Sequence, residues 1–212
     1  MIKKLSLYTV LFSLIFLLSC GGDKKTSNTK PAAKPVATAD VKKGVTPVAD
    51  NEVAVMETDF GTIKIELYSN IAPQMVARFK ELAKEGYYNG IAFHRINQSV
   101  IQAGNADTKV GAPLPTAGEE GDSGKLNVPA EFSDIPYDTG IVGAARLGND
   151  VDSANSQFFI MLKREAGFDN KYTVFGKVIE GMNNVMTISG VPREGEKPNP
   201  DVRIKSVTIQ PK

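Results

Sequence analysis

The chain has 212 residues with 25 Lys and Arg against 24 Asp and Glu, a net charge of +1, so no electrostatic footprint points to nucleic acid or to an acidic partner. One cysteine excludes an internal disulfide and a Cys-rich metal site, and one histidine excludes chemistry that needs several. The length suits one ordinary domain with appendages.

The chain opens with a targeting pattern. Lys3 and Lys4 precede a nearly continuous apolar stretch from Leu5 to Leu18, which fits a signal-peptide core and is short for a membrane span. It ends in Leu17-Leu18-Ser19-Cys20, followed by Gly21-Gly22. This resembles a bacterial lipobox, which implies cleavage before Cys20 and acylation of its thiol. Residues 1–19 are therefore read as a lipoprotein signal peptide. Residues 20–51 are read as a lipid-anchored flexible tether, because they are rich in Lys, Thr, Ala and Pro and hold no aromatic residue.

From Glu52 the pattern changes. Val53 and Val55 alternate with Ala54 and Met56, Phe60-Gly61-Thr62 turns the chain, and Ile63, Ile65 and Leu67 alternate with polar residues, which predicts a hairpin. Pro73 then sits in the first turn of a helix whose Val76, Phe79, Leu82 and Ala83 share one face, with Gly86 as its stop. A strand containing Phe93 follows. Further short strands are predicted at Ser99–Ala103, Gly140–Arg146, Gln157–Leu162, Thr173–Ile179 and Val202–Ile209, with a second helix around Met182–Ser189. A long Gly/Pro/acid-rich loop spans Asn105 to Asn127, a length usually reserved for function or mobility. The pattern predicts a mainly β fold, a closed antiparallel barrel with helical caps, over residues 52–212.

Three blocks carry a more specific signal. Gly90-Ile91-Ala92-Phe93-His94-Arg95-Ile96, Ser153-Ala154-Asn155-Ser156-Gln157-Phe158-Phe159-Ile160, and Phe168-Asp169-Asn170-Lys171-Tyr172-Thr173-Val174-Phe175-Gly176-Lys177-Val178 occur in that order. In order and spacing they resemble the cyclophilin family of peptidyl-prolyl cis-trans isomerases. The resemblance covers about residues 52–210. It implies a closed eight-stranded antiparallel β-barrel capped by two α-helices, with proline-containing polypeptides bound in a surface groove, and an enzyme accelerating Xaa-Pro bond rotation, which breaks no bond and needs no cofactor or metal; with the targeting pattern, its expected substrates are exported proteins during folding.

The resemblance also implies roles for individual residues. Arg95 takes the position of the catalytic arginine. Gln102 lies near the groove, where it can bond the substrate backbone or orient Arg95. Phe159 is the aromatic floor of the proline pocket, with Gln157 on the same strand and Phe158 turned to the other face. Phe168 and Val100 are candidate walls. Ala145 and Arg146 belong to the strand that pairs with substrate, and Tyr172 and His94 line and shape the groove. No nucleophile motif accompanies His94, so a neutral, hydrogen-bonded ring is expected rather than acid–base catalysis.

The chain departs from the family after Arg95. Ile96-Asn97-Gln98-Ser99-Val100 is one residue shorter than usual and lacks the family's Pro and Phe, so Ser99 replaces a pocket phenylalanine and Val100 a pocket methionine. Gly167 stands where Trp or His is usual, which predicts weak binding of cyclosporin-like macrocycles. These losses leave a second reading open, a low-activity proline-peptide-binding module or chaperone on the same groove. The expected setting is the bacterial cell envelope on the periplasmic side, as a monomer held to the membrane through Cys20; Gly21, in place of Asp, favours the outer membrane.

Overall fold

Two alternating segments joined by a tight turn form the first hairpin, β1 (Glu52–Thr58) and β2 (Gly61–Leu67), in a computed structural model that describes residues 39–112, 114 and 121–212. Their inward residues Ala54, Met56, Ile63, Ile65 and Leu67 are fully buried. Helix α1 (Pro73–Lys84) follows and buries Met75, Val76, Phe79, Leu82 and Ala83. No local side chain caps it. Instead the buried carboxylate of Glu131, distant in sequence, accepts from Gln74 N at 3.2 Å and Met75 N at 3.0 Å, satisfying donors that a helix start leaves open and placing negative charge at the positive end of the dipole.

The remaining strands are β3 (Arg95–Ile96), β4 (Val100–Ala103), β5 (Ile141–Ala144), β6 (Phe158–Met161), β7 (Val174–Glu180), β8 (Arg193–Glu194), β9 (Lys197–Pro198) and β10 (Ile204–Pro211). Helix α2 (Met182–Ser189) follows β7. Gly181, at its start, has φ +84°, and a Cβ there would meet the Thr62 carbonyl and Ile63 Cα, so no larger residue fits without displacement. The eight-stranded antiparallel sheet runs β10-β1-β2-β7-β5-β6-β4-β3, with β8 and β9 as a separate hairpin.

The predicted closed barrel needs one correction. The sheet is curled, but its ladder is not continuous, because β3 and β10 remain its two edges. A short irregular segment bridges them: Phe93 N donates to Val202 O at 2.9 Å, Gly90 N to Ile204 O at 2.8 Å, and Ala92 pairs singly with Arg203. The strand expected around Phe93 is thus reduced to this bridge and the two residues of β3.

Side chains alternate across the curl. One face forms the main core, where Phe79 packs against Tyr88, Phe158 and Phe175 with ring centroids 5.1, 5.6 and 5.4 Å apart. The opposite face of the middle strands carries a second apolar cluster, which includes Val100, Tyr137, Phe159, Met161 and Val174.

The segment read as a signal peptide, Cys20 and most of the segment read as a tether lie outside the described residues. The last part of the segment read as flexible, residues 39–50, is described and is docked on the domain, which corrects that reading. Lys42 N donates to Phe132 O at 2.9 Å, Asp134 N returns a bond to Lys42 O at 3.0 Å, and Val45 and Ala49 pack against the second cluster. Asp50 accepts from Lys80 Nζ at 2.6 Å and from Ser69 Oγ at 2.7 Å. Burial alone would raise the Asp50 pKa, but these hydrogen bonds outweigh it and hold the carboxyl below its usual range. Composition misses this docking because two small apolar side chains and backbone pairing suffice for it. A chain beginning at Glu52 is therefore expected to be less stable than one beginning at Ala39 by about 1–3 kcal/mol in urea unfolding. Equal midpoints would show that the segment docks without contributing.

Candidate functional site

Strand register brings the site together. Arg95 on β3 faces Gln102 on β4, Gln102 faces Phe159 on β6, Phe159 faces Gly143 on β5, and Gly143 faces Val174 on β7. Residues directly opposite one another share a face, so this row crosses the outer side of the sheet as a unit. The neighbouring row of Ile96, Ile101, Ile160 and Val142 is buried in the main core. Phe158 also points inward, as its alternation with Phe159 requires.

A polar chain runs along one end of the row. Arg95 Nη1 donates to Gln102 Oε1 at 3.4 Å, Gln102 Nε2 to Gln157 Oε1 at 2.9 Å, and Gln157 Nε2 to Gly121 O at 3.2 Å. Gln102 and Gln157 are thereby fixed by donors and acceptors in sequence. Beside them is a cavity of about 150 Å³ lined by Gln102, Gly121, Asn127, Ala145, Arg146 and Asn155, among others. Asn155 clips the end of the long loop to this wall: its Oδ1 accepts from Ser123 N at 3.1 Å, and its Nδ2 donates to Lys125 O at 2.9 Å.

An aromatic seat occupies the other side of Phe159. The ring of Phe159 lies 5.6 Å from Phe168 at 87° and 5.6 Å from Tyr172 at 87°, both edge-to-face geometries that aromatic quadrupoles favour. Tyr137 completes a group of four, 5.8 Å from both Phe159 and Phe168. Its backbone also clamps the turn that carries Phe168, since Glu165 N donates to Tyr137 O at 3.0 Å and Asp169 Oδ1 accepts from Tyr137 N at 2.9 Å. Gly143 makes room behind the seat: a Cβ there would overlap the Phe159 ring and come within 2.9 Å of the Tyr137 hydroxyl.

The other sequence-predicted residues take distinct places. Val100 is buried in the cluster beneath Phe159 and forms backing rather than exposed wall. Arg146 lies over the Tyr172 ring, its Cζ 4.8 Å from the centroid, and donates to Lys171 O at 3.1 Å, so it extends the seat as a cation–π partner. Ala145 follows the end of β5 and donates its N–H to Gln157 O at 2.9 Å. Sequence reasoning missed Tyr137 and Gly143, which belong to no motif. It also missed Glu196, hidden in a charged run that reads as solvated surface.

His94 is half-buried next to Arg95; its backbone N–H donates to Gln102 O at 3.1 Å, while its ring Nδ1 is buried with no hydrogen-bond partner among the described residues. Burial pushes its imidazolium down to about 4; the Ala92 backbone opposes this, the charge of Arg95 adds to it, and Gln157 opposes it slightly. The ring is therefore neutral at physiological pH. The sign of the linkage follows. Between pH 7 and 5 an unfolded histidine takes up a proton that the folded one refuses, so stability falls with falling pH, by about 2 kcal/mol over that interval. Urea unfolding at both pH values should show this slope in the wild type and its loss in His94→Asn. An equal slope in both would assign it to other groups.

The family model described as "Cyclophilin type peptidyl-prolyl cis-trans isomerase/CLD" matches residues 53–209. A "Probable peptidyl-prolyl cis-trans isomerase" of Brucella suis is 39% identical over 167 residues, covering 74% of this chain and 83% of that protein. "Peptidylprolyl isomerase domain and WD repeat-containing protein 1" of Mus musculus is 34% identical over 192 residues, covering 89% of this chain but 28% of that protein. Among solved structures, a Cryptosporidium parvum cyclophilin type peptidyl-prolyl cis-trans isomerase, crystallised in the presence of dipeptide ala-pro, superposes with a TM-score of 0.65 at 26% identity, covering 76% of this chain and 99% of that one. The row from Arg95 to Phe159 thus lies in a chain that belongs to the cyclophilin-type peptidyl-prolyl cis-trans isomerases and accelerates rotation about the peptide bond preceding proline.

Proposed function

We propose that this isomerase acts on exported polypeptides from a lipid anchor at Cys20, with Arg95 as the catalytic donor and the rings of Phe159, Phe168 and Tyr172 as the proline seat. The observation that carries the site assignment is the strand register that sets Arg95 and Phe159 on one face with Gln102 between them. Proline seated on the aromatic rings leaves its nitrogen beside the guanidinium. As the C–N bond twists it loses double-bond character and the nitrogen lone pair localises. A donor aimed at that lone pair binds the twisted state better than either planar one, and only such differential binding accelerates the step. In this reading Gln102 and Gln157 bond the substrate backbone. Cleavage and acylation at Cys20 rest on the order of Lys3-Lys4, the apolar stretch and Leu17-Leu18-Ser19-Cys20.

The anchor is tested by expressing the full chain and Cys20→Ser in a bacterial host and separating membrane from soluble fractions. The wild type should sediment with membranes and carry acyl chains by mass, and the variant should lose both. Membrane retention of Cys20→Ser with an intact apolar segment would replace the lipid by an uncleaved helical anchor.

A further inference from the structure

The catalytic-site arginine has a second, stronger partner than Gln102. Arg95 Nε donates to Glu196 Oε2 at 2.5 Å, and Nη2 donates to Glu196 Oε1 at 3.4 Å. One edge of the guanidinium fork is thus engaged by the carboxylate, while Gln102 takes one N–H of Nη1. Of five donors, one on Nη1 and one on Nη2 remain.

Glu196 is itself held from three sides. Its backbone carbonyl accepts from Ile96 N at 2.7 Å, which ties the β8–β9 hairpin to β3. Lys197, next in the chain, donates from Nζ to Leu114 O at 2.9 Å and so anchors the hairpin on its other side. The carboxylate Oε1 also accepts from Asn97 Nδ2 at 2.9 Å. Asn97 is fixed in turn, because its Oδ1 accepts from Ser99 N at 2.9 Å and Val100 N at 3.0 Å. The shortened turn after Arg95 is therefore a side-chain-capped turn whose spare amide group grips the carboxylate.

Two effects of Glu196 on Arg95 oppose each other. The carboxylate offsets positive charge that would attract the prolyl lone pair. It also fixes a long, rotamer-rich side chain before substrate arrives. The Arg95 and Glu196 side chains are 41% and 36% exposed, so solvent screens the charge effect, whereas the geometry of a bidentate pair is not screened. Positioning wins. We infer that Glu196 is a positioning residue: pinned by Asn97 of the shortened turn, its carboxylate holds the Arg95 guanidinium so that the Nη1 and Nη2 edge stays free for the prolyl nitrogen. This rests on the reading of Arg95 as the catalytic donor.

The test is a double-mutant cycle on the full chain, with isomerisation of a short Xaa-Pro peptide as the readout. Glu196→Gln is nearly isosteric and should lower kcat on the order of 10-fold, with KM within about 2-fold. Asn97→Asp keeps the acceptor that caps the turn but loses the donor to Glu196, and should lower kcat in the same direction. Added to Arg95→Ala, neither change should lower the residual rate further. The Arg95 Nε–H resonance should be protected from exchange in the wild type and lose that protection in Glu196→Gln. Full kcat in Glu196→Gln with Arg95→Ala inactive would overturn this inference alone, as would a loss that adds undiminished to Arg95→Ala. Full turnover in Arg95→Ala would overturn the catalytic reading and this inference with it.

Discussion

Arg95→Ala should lower kcat/KM for Xaa-Pro peptides by about 10²- to 10³-fold, equivalent to about 3–4 kcal/mol of transition-state stabilisation. Uncatalysed rotation takes roughly tens to hundreds of seconds, against a barrier of about 18–20 kcal/mol. A site turning over about a thousand times per second must remove on the order of 7 kcal/mol of it. No bond breaks, so this must come from holding the proline and from donors that favour the twisted amide. Arg95 is the charged donor in the row that crosses the outer face, and its guanidinium stays charged at every working pH. Because the aromatic seat does not touch the guanidinium's bonds, peptide affinity should change little in the same variant. The folded state should lose only about 1 kcal/mol, since the Arg95–Glu196 pair is partly exposed. Exchange spectroscopy on a peptide with resolved cis and trans signals measures the rate directly. Wild-type exchange that persists in Arg95→Ala would assign catalysis to the seat and backbone. A wild type that binds peptide without accelerating exchange would favour a binding module or chaperone.

Gly143→Ala should have the second large effect, on substrate affinity. The residue lies directly across from Phe159, and a methyl group there overlaps the ring and crowds the Tyr137 hydroxyl. Tyr137 is fully buried, so it cannot swing aside, and Phe159 must shift. Overpacking of this kind costs about 1–3 kcal/mol of stability. A displaced floor should raise KM on the order of 10-fold while kcat falls less, because Arg95 sits two strands away. Gly148→Ala is the control, since a Cβ there meets nothing within 4 Å. Steady-state kinetics with thermal unfolding of both variants would settle it. An unchanged KM in a stable Gly143→Ala protein would mean that proline does not rest on Phe159.

Much of this was legible in the sequence because the responsible physics is local. Alternation marked β1 and β2, the apolar face of Val76, Phe79 and Leu82 marked α1, and α2 lies where a second helix was expected, around Met182–Ser189. The motif blocks pointed to Arg95 and Phe159, the segment after the first block pointed to Gln102, and the structure sets all three in one cross-strand row. The β8–β9 hairpin escaped because its strands have two residues each and its charged run gives no periodic signal. Its turn depends on Gly195 at φ +65°. The docked segment 39–50 escaped because its contacts are backbone hydrogen bonds, the packing of Val45 and Ala49, and one salt bridge, Asp50 to Lys80, all to residues far along the chain.

By itself the sequence determined the class of fold, the family resemblance and the residue types that can assist amide rotation, since these follow from periodicity and from motifs contiguous in the chain. Only the tertiary structure decided what stands beside them. Curling the sheet brings Glu196 to Arg95 across 101 residues and Tyr137 and Gly143 to Phe159 from separate strands and loops. The departure after Arg95 shows the difference most clearly. Read along the chain it is a missing residue and a lost phenylalanine; in space Asn97 caps the turn and grips the carboxylate that holds the arginine. A hydrogen bond depends on where two groups meet after folding, and chain order leaves that unwritten when the partner comes from another strand.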